Sequence, residues 1–373
     1  MDSVFAFFGP LVLGVILTMV LEATTGRAWG LIARKFFKRR ALQRLVRFGR
    51  GDELVRRGNE ALYVLQFVPG GWRPQDIVIA ERPAPELETE LARVPGALVA
   101  LDPARLVAEI ASERQRLQGF PDGEWNGASL AVDGLNALSR TREHERPVLN
   151  LSVWHSDHAS AKVCGRAWME EFDAGNIDLG SDGDRLAHIA PGMIHAIGLN
   201  ATVVTDDDRL ILVRRSELTS SGRNGYHISV NEGMLPEDRN AKGALDPHRG
   251  LARGMKEELG IDVESRFVHF HTAMLDVRRY QLGLLGHVNL RNTGITAAQI
   301  LNARRLGTAQ DKFENRTIEE IPWTYEAVVE KLAEPNWIAH GWLNLLLSAV
   351  ESFAPKTDEL YRMLGERTRG TMR

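Results

Sequence analysis

The sequence predicts an α/β protein. Its C-terminal half is expected to form an α/β/α sandwich around a mixed sheet, preceded by a small α/β region and an N-terminal transmembrane helix. Three observations carry this prediction: a charge-free apolar run at the N-terminus, short alternating strands after residue 125, and an amphipathic helix set between strands near residue 250. At 373 residues the chain is long enough for two domains and an appendage.

The overall composition is that of a globular protein with sizeable apolar cores. Hydrophobic residues make up 44% of the chain and charged residues 25%. The formal net charge of −3 provides no general attraction to nucleic acid, so no nucleic-acid partner is expected. Cys164 is the only cysteine, which excludes an internal disulfide framework and a zinc site built on paired cysteines.

The N-terminal segment predicts a membrane anchor. Residues 3–21 carry no charged side chain, and as a helix they would span about 28 Å, close to the thickness of a hydrocarbon core of about 30 Å. Residues 27–50 contain nine basic residues and no acidic one. The positive-inside rule therefore places this flank in the cytoplasm and the N-terminus outside. The alternative is a buried helix or hairpin of a soluble protein.

Changes in residue pattern along the chain predict the boundaries of its segments. An Asp102-Pro103 start precedes a helical pattern that ends near residue 117, and the stretch after residue 120 changes to short strands and turns. The predicted segments are a transmembrane anchor at 1–26, a basic juxtamembrane helix at 27–50, a small α/β region at 51–120, a strand-rich region at 121–192, the main α/β domain at 193–350 and a C-terminal tail at 351–373.

A β-hairpin and a further strand precede the segment that carries the chemistry. Ala201–Val204 and Leu210–Val213 flank a turn of three aspartates, which is a strong hairpin signal. The second strand runs into Arg214 and Arg215, and Tyr226–Val230 is the next strand candidate. Basic side chains at a strand end are suited to pairing with phosphate oxygens.

An amphipathic helix is predicted from Asp246 to Gly260. Asp246 is suited to cap the helix, a proline follows in the first helical position, and Gly260 is suited to end it. Leu251, Met255 and Leu259 recur at i, i+4 and i+8, so this face should pack inward.

Two adjacent glutamates lie in the last turn of this helix. Glu257 and Glu258 stand where the helix dipole disfavours anions, an arrangement that bound cations would compensate. Arg253 lies four residues before Glu257, at a spacing that allows an ion pair on the helix surface.

The stretch from Arg253 to Ile261 resembles the second half of the Nudix box, R-E-U-x-E-E-x-G-U, in which U is a bulky aliphatic residue. The chain departs from the box at Gly254, where the family has a glutamate. The first half of the box is also altered, because twenty residues separate Gly233 from Arg253 in place of the family's fourteen. Glu237 is the candidate for the glutamate of that first half.

This resemblance implies a Nudix-like fold and hydrolysis of the diphosphate bond of a nucleoside-diphosphate-linked substrate with Mg²⁺ or Mn²⁺. Carried over residue by residue, Glu257 and Glu258 match metal-binding positions, and Arg253 matches the arginine that orients a glutamate. These three residues are the catalytic candidates. Glu232 is a third candidate metal ligand, which would compensate for Gly254 from the preceding loop.

The expected partner is a small nucleotide diphosphate. Arg214, Arg215 and Arg278 are the candidates for binding its phosphates. Two other functions stay open: a nucleotide sensor at the cytoplasmic membrane that kept the fold and lost a metal ligand, and an interaction protein whose residues 51–190 recruit a partner. Assembly into a homo-oligomer also stays open.

Overall fold

A computed structural model shows a mixed α/β architecture. It describes residues 54–57, 60–93, 101–118, 126–138, 147–177, 191–217, 224–309 and 315–353. The strands within these ranges are β1 (Leu54–Arg57), β2 (Glu60–Phe67), β3 (Ile77–Glu81), β4 (Ala128–Leu138), β5 (Val148–Asp157), β6 (Ile197–Val204), β7 (Arg209–Arg215), β8 (Tyr226–Ile228), β9 (Val230–Gly233), β10 (Val268–Asp276), β11 (Gln281–Asn289) and β12 (Asn315–Pro322). The helices are α1 (Leu87–Ala92), α2 (Pro103–Gln118), α3 (His158–Asp173), α4 (Pro247–Leu259), α5 (Ala297–Leu306), α6 (Tyr325–Ala333) and α7 (Ala339–Ser352).

Among the described residues, the larger sheet contains nine strands. Its main order is β1-β2-β10-β11-β6-β7-β12, with β8 paired to β7 and β9 paired to β6. The β11–β6 pair is parallel, whereas β6 and β7 form the predicted antiparallel hairpin. The strand predicted at Tyr226–Val230 is observed as two short strands, β8 and β9, which pair with different neighbours.

Opposite faces of this sheet pack against different helices, because side chains alternate along each strand. On one face, Leu199 of β6 belongs to the same apolar core as Leu251 and Met255 of α4. On the other face, Leu212 of β7 packs in a second core with Leu343 of α7. The sheet therefore lies between α4 and α7, and the predicted mixed α/β class is confirmed.

The smaller sheet has three strands in the order β3-β5-β4. Its β3 and β5 are parallel, and its β4 and β5 are antiparallel. Trp168 of α3 joins this part to the larger sheet. Its indole Nε1 donates a hydrogen bond of 2.8 Å to the Val277 carbonyl, and its ring stacks on Tyr280 at 3.7 Å.

Strand pairing crosses the predicted segment boundaries at residues 120 and 192. In the smaller sheet, β3 lies before residue 120 and its partner β5 lies after it. In the larger sheet, β2 pairs with β10, more than 200 residues further along the chain. Local composition and turn signals carry no information on which distant strands will pair.

The structure contradicts the predicted localisation as a single-pass membrane protein with an external N-terminus and cytoplasmic C-terminal domains. Across the described part of the chain, no helix is long and apolar enough to cross a membrane. Helices α2 and α3 each have 16 residues, or about 24 Å, and both carry charged side chains. The apolar run at residues 3–21 and the basic segment at residues 27–50 lie outside the described residues.

Candidate functional site

Helix α4 begins and ends as the sequence predicts. The carboxylate of Asp246 accepts a 3.0 Å hydrogen bond from the main-chain N–H of His248, which caps the first turn. Gly260 ends the helix with a φ of 74°, a left-handed conformation that glycine adopts without a steric penalty. The predicted apolar face is fully buried in the core.

Arg253 lies at the centre of an ion-pair group on a half-buried flank of α4. Its Nε and Nη2 lie 3.0 Å and 3.1 Å from the two carboxylate oxygens of Asp238, and its Nη2 also donates to the Gly233 carbonyl at 2.7 Å. Its Nη1 lies 2.8 Å from Glu257 Oε2 and 3.3 Å from Glu232 Oε1. We call Arg253, Glu232, Asp238 and Glu257 the Arg253 cluster.

The Arg253 cluster has an excess of negative charge. When all its groups are ionised, three carboxylates surround one guanidinium, which leaves a formal charge of −2. Burial raises the pKa of Glu232 to about 7, although the charge of Arg253 and a hydrogen bond from the Gly233 N–H act in the opposite direction. The neighbouring charge of Glu257 contributes to this rise in the pKa of Glu232. A bound cation would relieve this excess.

Glu232 covers the position at which the chain departs from the Nudix box. A Cβ atom added at Gly254 would lie 2.8 Å from Glu232 Cβ, 3.0 Å from Glu232 Cγ and 3.0 Å from Val230 Cγ1. Contacts under 3.0 Å are shorter than van der Waals packing allows, so α4 approaches β9 closely only because residue 254 is glycine. The side chain of Glu232 occupies the space beside the helix that the family's glutamate would enter.

Glu258 lies in a different environment from Glu257. It is 3% exposed, and its two carboxylate oxygens both accept hydrogen bonds from the protein. Oε1 accepts from the main-chain N–H of Asn231 at 2.9 Å, and Oε2 accepts from Asn315 Nδ2 at 3.0 Å. Arg304 of α5 donates to the main-chain carbonyls of Glu258 and Asn315. We call Glu258, Asn231, Asn315 and Arg304 the Glu258 cluster.

Two carboxylates of the Arg253 cluster, those of Glu232 and Glu257, are suited to bind a metal ion whose other ligands are water and substrate. Within the described ranges, no three His, Cys, Asp or Glu side chains are grouped to hold a metal ion. Mg²⁺ at phosphate sites, however, commonly takes only one or two protein carboxylates, and water and substrate phosphates complete its shell. Glu232 and Glu257 suit that role, because their side chains are 17% and 27% exposed. In each, the described hydrogen bonds engage only one of the two carboxylate oxygens.

The structure does not bring the predicted phosphate-binding arginines into the Arg253 cluster. Arg278 forms a two-pronged ion pair with Asp173 of α3, with distances of 2.9 Å and 2.6 Å. Arg214 donates to the Asn224 carbonyl at 3.0 Å and lies over the ring of Tyr226. Arg215 is buried at the end of β7 and is 7% exposed. A contact between any of these arginines and a substrate stays a prediction.

Sequence reasoning missed Asp238, which anchors Arg253 from the loop between β9 and α4. Asp238 also accepts a 2.8 Å hydrogen bond from the Leu235 N–H, so the loop folds back on itself. The lengthened first half of the box was the one sequence feature that pointed to this loop. Its extra residues have to be accommodated between Gly233 and α4. Glu237, the candidate from that half, is exposed to solvent.

The same loop is tied to the smaller sheet. Arg239 forms a two-pronged ion pair with Glu81 at the end of β3, with two distances of 2.6 Å. This hydrogen bonding from Arg239, with a smaller contribution from His155, lowers the pKa of Glu81 to about 2. The loop that leads into α4 is therefore held from both sides, by Asp238 against α4 and by Arg239 against the smaller sheet.

Comparisons with known proteins found limited similarity. No family model matches the chain, and no curated protein matches it. Among solved structures, the chain is similar to a protein from Deinococcus radiodurans (14% identity, 41% of this chain and 82% of that chain, TM-score 0.26) and to a MutT protein from Methanosarcina mazei (12%, 40% and 89%, TM-score 0.27). A MutT/nudix family protein from Enterococcus faecalis is similar at 10% identity, over 34% of this chain and 43% of that chain, with a TM-score of 0.25. At these values, the function of this chain has to be inferred from its own residues.

Proposed function

We propose that this chain is a Nudix-like hydrolase that cleaves the diphosphate bond of a nucleoside-diphosphate-linked substrate with Mg²⁺ or Mn²⁺. The observation that supports this proposal most is the position of Glu232. Its side chain covers Gly254 and lies beside Arg253 and Glu257. A carboxylate from β9 thereby replaces the helix carboxylate that the Nudix box would provide.

The roles of the residues follow from this geometry. Glu232 and Glu257 would hold the cation, and Arg253 keeps both carboxylates in place through its Nη1. Asp238 fixes the guanidinium of Arg253 from the other side. The bound metal would neutralise the diphosphate and lower the pKa of an attacking water.

A second candidate function is a nucleotide-binding module without turnover. The burial of Glu258 favours this alternative, because α4 then presents a single carboxylate to a cation, that of Glu257. Two ligands suffice to bind a metal–diphosphate complex, whereas positioning of the attacking water commonly requires further groups.

A screen of nucleoside-diphosphate compounds with Mg²⁺ and Mn²⁺ tests both functions. Hydrolysis is read from the phosphate-containing product, and binding is read from thermal stabilisation of the full chain. At a hundredfold excess over the dissociation constant, a ligand should stabilise the fold by about 2.7 kcal/mol. For a hydrolase, Glu232→Gln and Glu257→Gln should each remove most of the turnover, since an amide is a poor ligand for a hard cation.

Glu264→Gln is the matched control for these variants. Glu264 pairs with Arg266 at the surface, and its side chain is 66% exposed. The same chemical change at this position should leave both turnover and stabilisation as in the wild type. Metal-dependent stabilisation without any product would favour the binding module. Neither product nor stabilisation with any compound would refute both functions.

A further inference from the structure

We infer that Glu258 is a positioning residue in this chain and not a metal ligand. Together with Asn315 it forms a buried clamp that holds β9, and with it Glu232, against α4. This inference rests on the proposed function in one respect, the identity of Glu232 and Glu257 as the ligands. The clamp itself depends only on contacts within the Glu258 cluster.

Both oxygens of the Glu258 carboxylate already accept hydrogen bonds from the protein. A ligand carboxylate has to direct an oxygen lone pair towards a position that water and substrate can reach. Both oxygens of Glu258 are instead directed into the protein, towards Asn231 N and Asn315 Nδ2, at 2.9 Å and 3.0 Å. The residue is 3% exposed, and Asn315 is 1% exposed. Coordination of a metal would have to bring the ion into this buried site, beside two N–H donors.

The clamp acts on β9, the strand that carries Glu232. Among the described strands, β9 pairs only with β6, with Asn231 opposite Asn200. The N–H of Asn231 is directed towards α4, where Glu258 accepts its hydrogen. Glu232 is the next residue along β9, so the distance between β9 and α4 at this point determines where its carboxylate lies. Glu258 therefore acts on the metal site through the backbone of β9.

The clamp is also anchored on a separate helix, α5. Arg304 of α5 donates to the main-chain carbonyl of Glu258 at 3.4 Å and also to that of Asn315. One guanidinium thus connects the end of α4 with the start of β12. Within the described part of the chain, Asn315 Oδ1 is buried without a hydrogen-bond partner, while its Nδ2 donates to Glu258. The orientation of the amide is therefore set by the carboxylate.

This geometry makes a specific exchange testable. In Glu258→Gln, the new amide oxygen can still accept from Asn231, and a rotated Asn315 can present Oδ1 to the new amide hydrogens. In the double variant Glu258→Gln with Asn315→Asp, the donor and the acceptor between the two side chains are exchanged and the buried charge is kept. A positioning role is compatible with both variants. A ligand role is compatible with neither, because both remove the carboxylate from position 258.

The experiment measures Mn²⁺ binding to the full chain by titration calorimetry, with the metal alone as the probe, and unfolding by urea without metal. We expect Glu258→Gln and the double exchange to bind Mn²⁺ nearly as tightly as the wild type, while Glu232→Gln loses most of the binding. Asn315→Ala, which removes one side of the clamp, should weaken Mn²⁺ binding by about tenfold, as loss of an outer support commonly does. Glu264→Gln should change nothing.

Two results would overturn the inference. One is a loss of Mn²⁺ binding in Glu258→Gln as large as that in Glu232→Gln, with metal-free unfolding unchanged. The other is additivity of Glu258→Ala and Asn315→Ala in metal-free unfolding, since partners in a clamp should show non-additive effects. If the wild type binds no Mn²⁺, the proposed function loses its metal site, and the unfolding cycle alone then decides on the clamp.

Discussion

Glu257 and Glu258 are adjacent in the sequence and lie in opposite environments. Successive residues of a helix are about 100° apart, so one side chain joins the Arg253 cluster on the solvent side and the other enters the Glu258 cluster beneath β9 and β12. Each cluster contains an arginine. In the first, the guanidinium binds the carboxylates themselves, and in the second it binds main-chain carbonyls.

The difference shows how one helix end can accommodate two carboxylates in different ways. The Glu258 carboxylate is satisfied by hydrogen bonds from Asn231 and Asn315, and its burial requires no external ion. The Arg253 cluster is only partly neutralised and remains partly open to solvent. A cation is therefore expected at the Arg253 cluster and not at the Glu258 cluster, although Glu257 and Glu258 are adjacent in the sequence.

The largest expected effect is that of Glu258→Ala on stability. The substitution leaves two donors, Asn231 N–H and the buried Asn315 Nδ2, without their acceptor, at a cost of about 3 kcal/mol in the free energy of unfolding. Glu257→Ala should cost about 1 kcal/mol or less, because its pair with Arg253 is partly exposed. Urea denaturation of the two variants side by side measures this contrast. Equal losses would remove the distinction between the clusters.

The next effect is that of Arg253→Lys. An ammonium group cannot donate to Asp238, Glu257 and the Gly233 carbonyl at once, so we expect a loss of about 2 kcal/mol. Stabilisation by Mn²⁺ should also fall, because Glu232 and Glu257 lose the group that holds them. The comparison variant is Arg266→Lys, in the surface pair of Arg266 with Glu264. This variant should leave the free energy of unfolding and the stabilisation by Mn²⁺ unchanged. Unaltered unfolding of Arg253→Lys would contradict the role assigned to the guanidinium.

Gly254→Glu should destabilise the protein by about 1 kcal/mol or more, although glutamate is a better helix former than glycine. The reason is the approach of the new Cβ to within 2.8 Å of Glu232 Cβ and 3.0 Å of Glu232 Cγ. Addition of Glu232→Ala should restore part of the loss, since it removes Cγ and the carboxylate from the crowded space. Calorimetric melting of the single and double variants measures the stability lost in Gly254→Glu and the part that Glu232→Ala restores. If Gly254→Glu had a higher melting temperature than the wild type, β9 would have to be able to move away from α4.

The smallest effect is expected for Arg278→Ala. Its ion pair with Asp173 lies at the surface, with 25% and 50% of the two side chains exposed, and such pairs contribute about 1 kcal/mol or less. Because Arg278 lies outside both clusters, nucleotide hydrolysis and Mn²⁺ binding should be unchanged. A large rise in KM in this variant would instead support the substrate contact predicted from the sequence.

Local patterns made α4 predictable in detail. Its first residue follows a capping aspartate, its last residue precedes a left-handed glycine, and its apolar face recurs at helical spacing. The predicted pair of Arg253 and Glu257 is observed at 2.8 Å, because an i, i+4 contact depends only on the helix itself. The hairpin of β6 and β7 was predictable for the same reason, since its turn is local.

The partners of the site were not predictable in this way. Asn315 lies 57 residues after Glu258, and Arg304 lies 46 residues after it. Neither residue type stands out in its own segment. Asp238 is closer to Arg253, but its role depends on how the loop after Gly233 folds. Each of these contacts requires knowledge of which strands and helices pack together.

The sequence by itself therefore determined the mixed α/β class, the limits of α4 and the pairing of Arg253 with Glu257, all of which follow from patterns within a few turns of chain. Only the tertiary structure decided that Glu232 covers Gly254 and that Glu258 faces inward. The physical reason is that the environment of a carboxylate is set by the groups packed against it. Here those groups come from β9, β12 and α5, which the sequence places before and after the helix without indicating that they meet there.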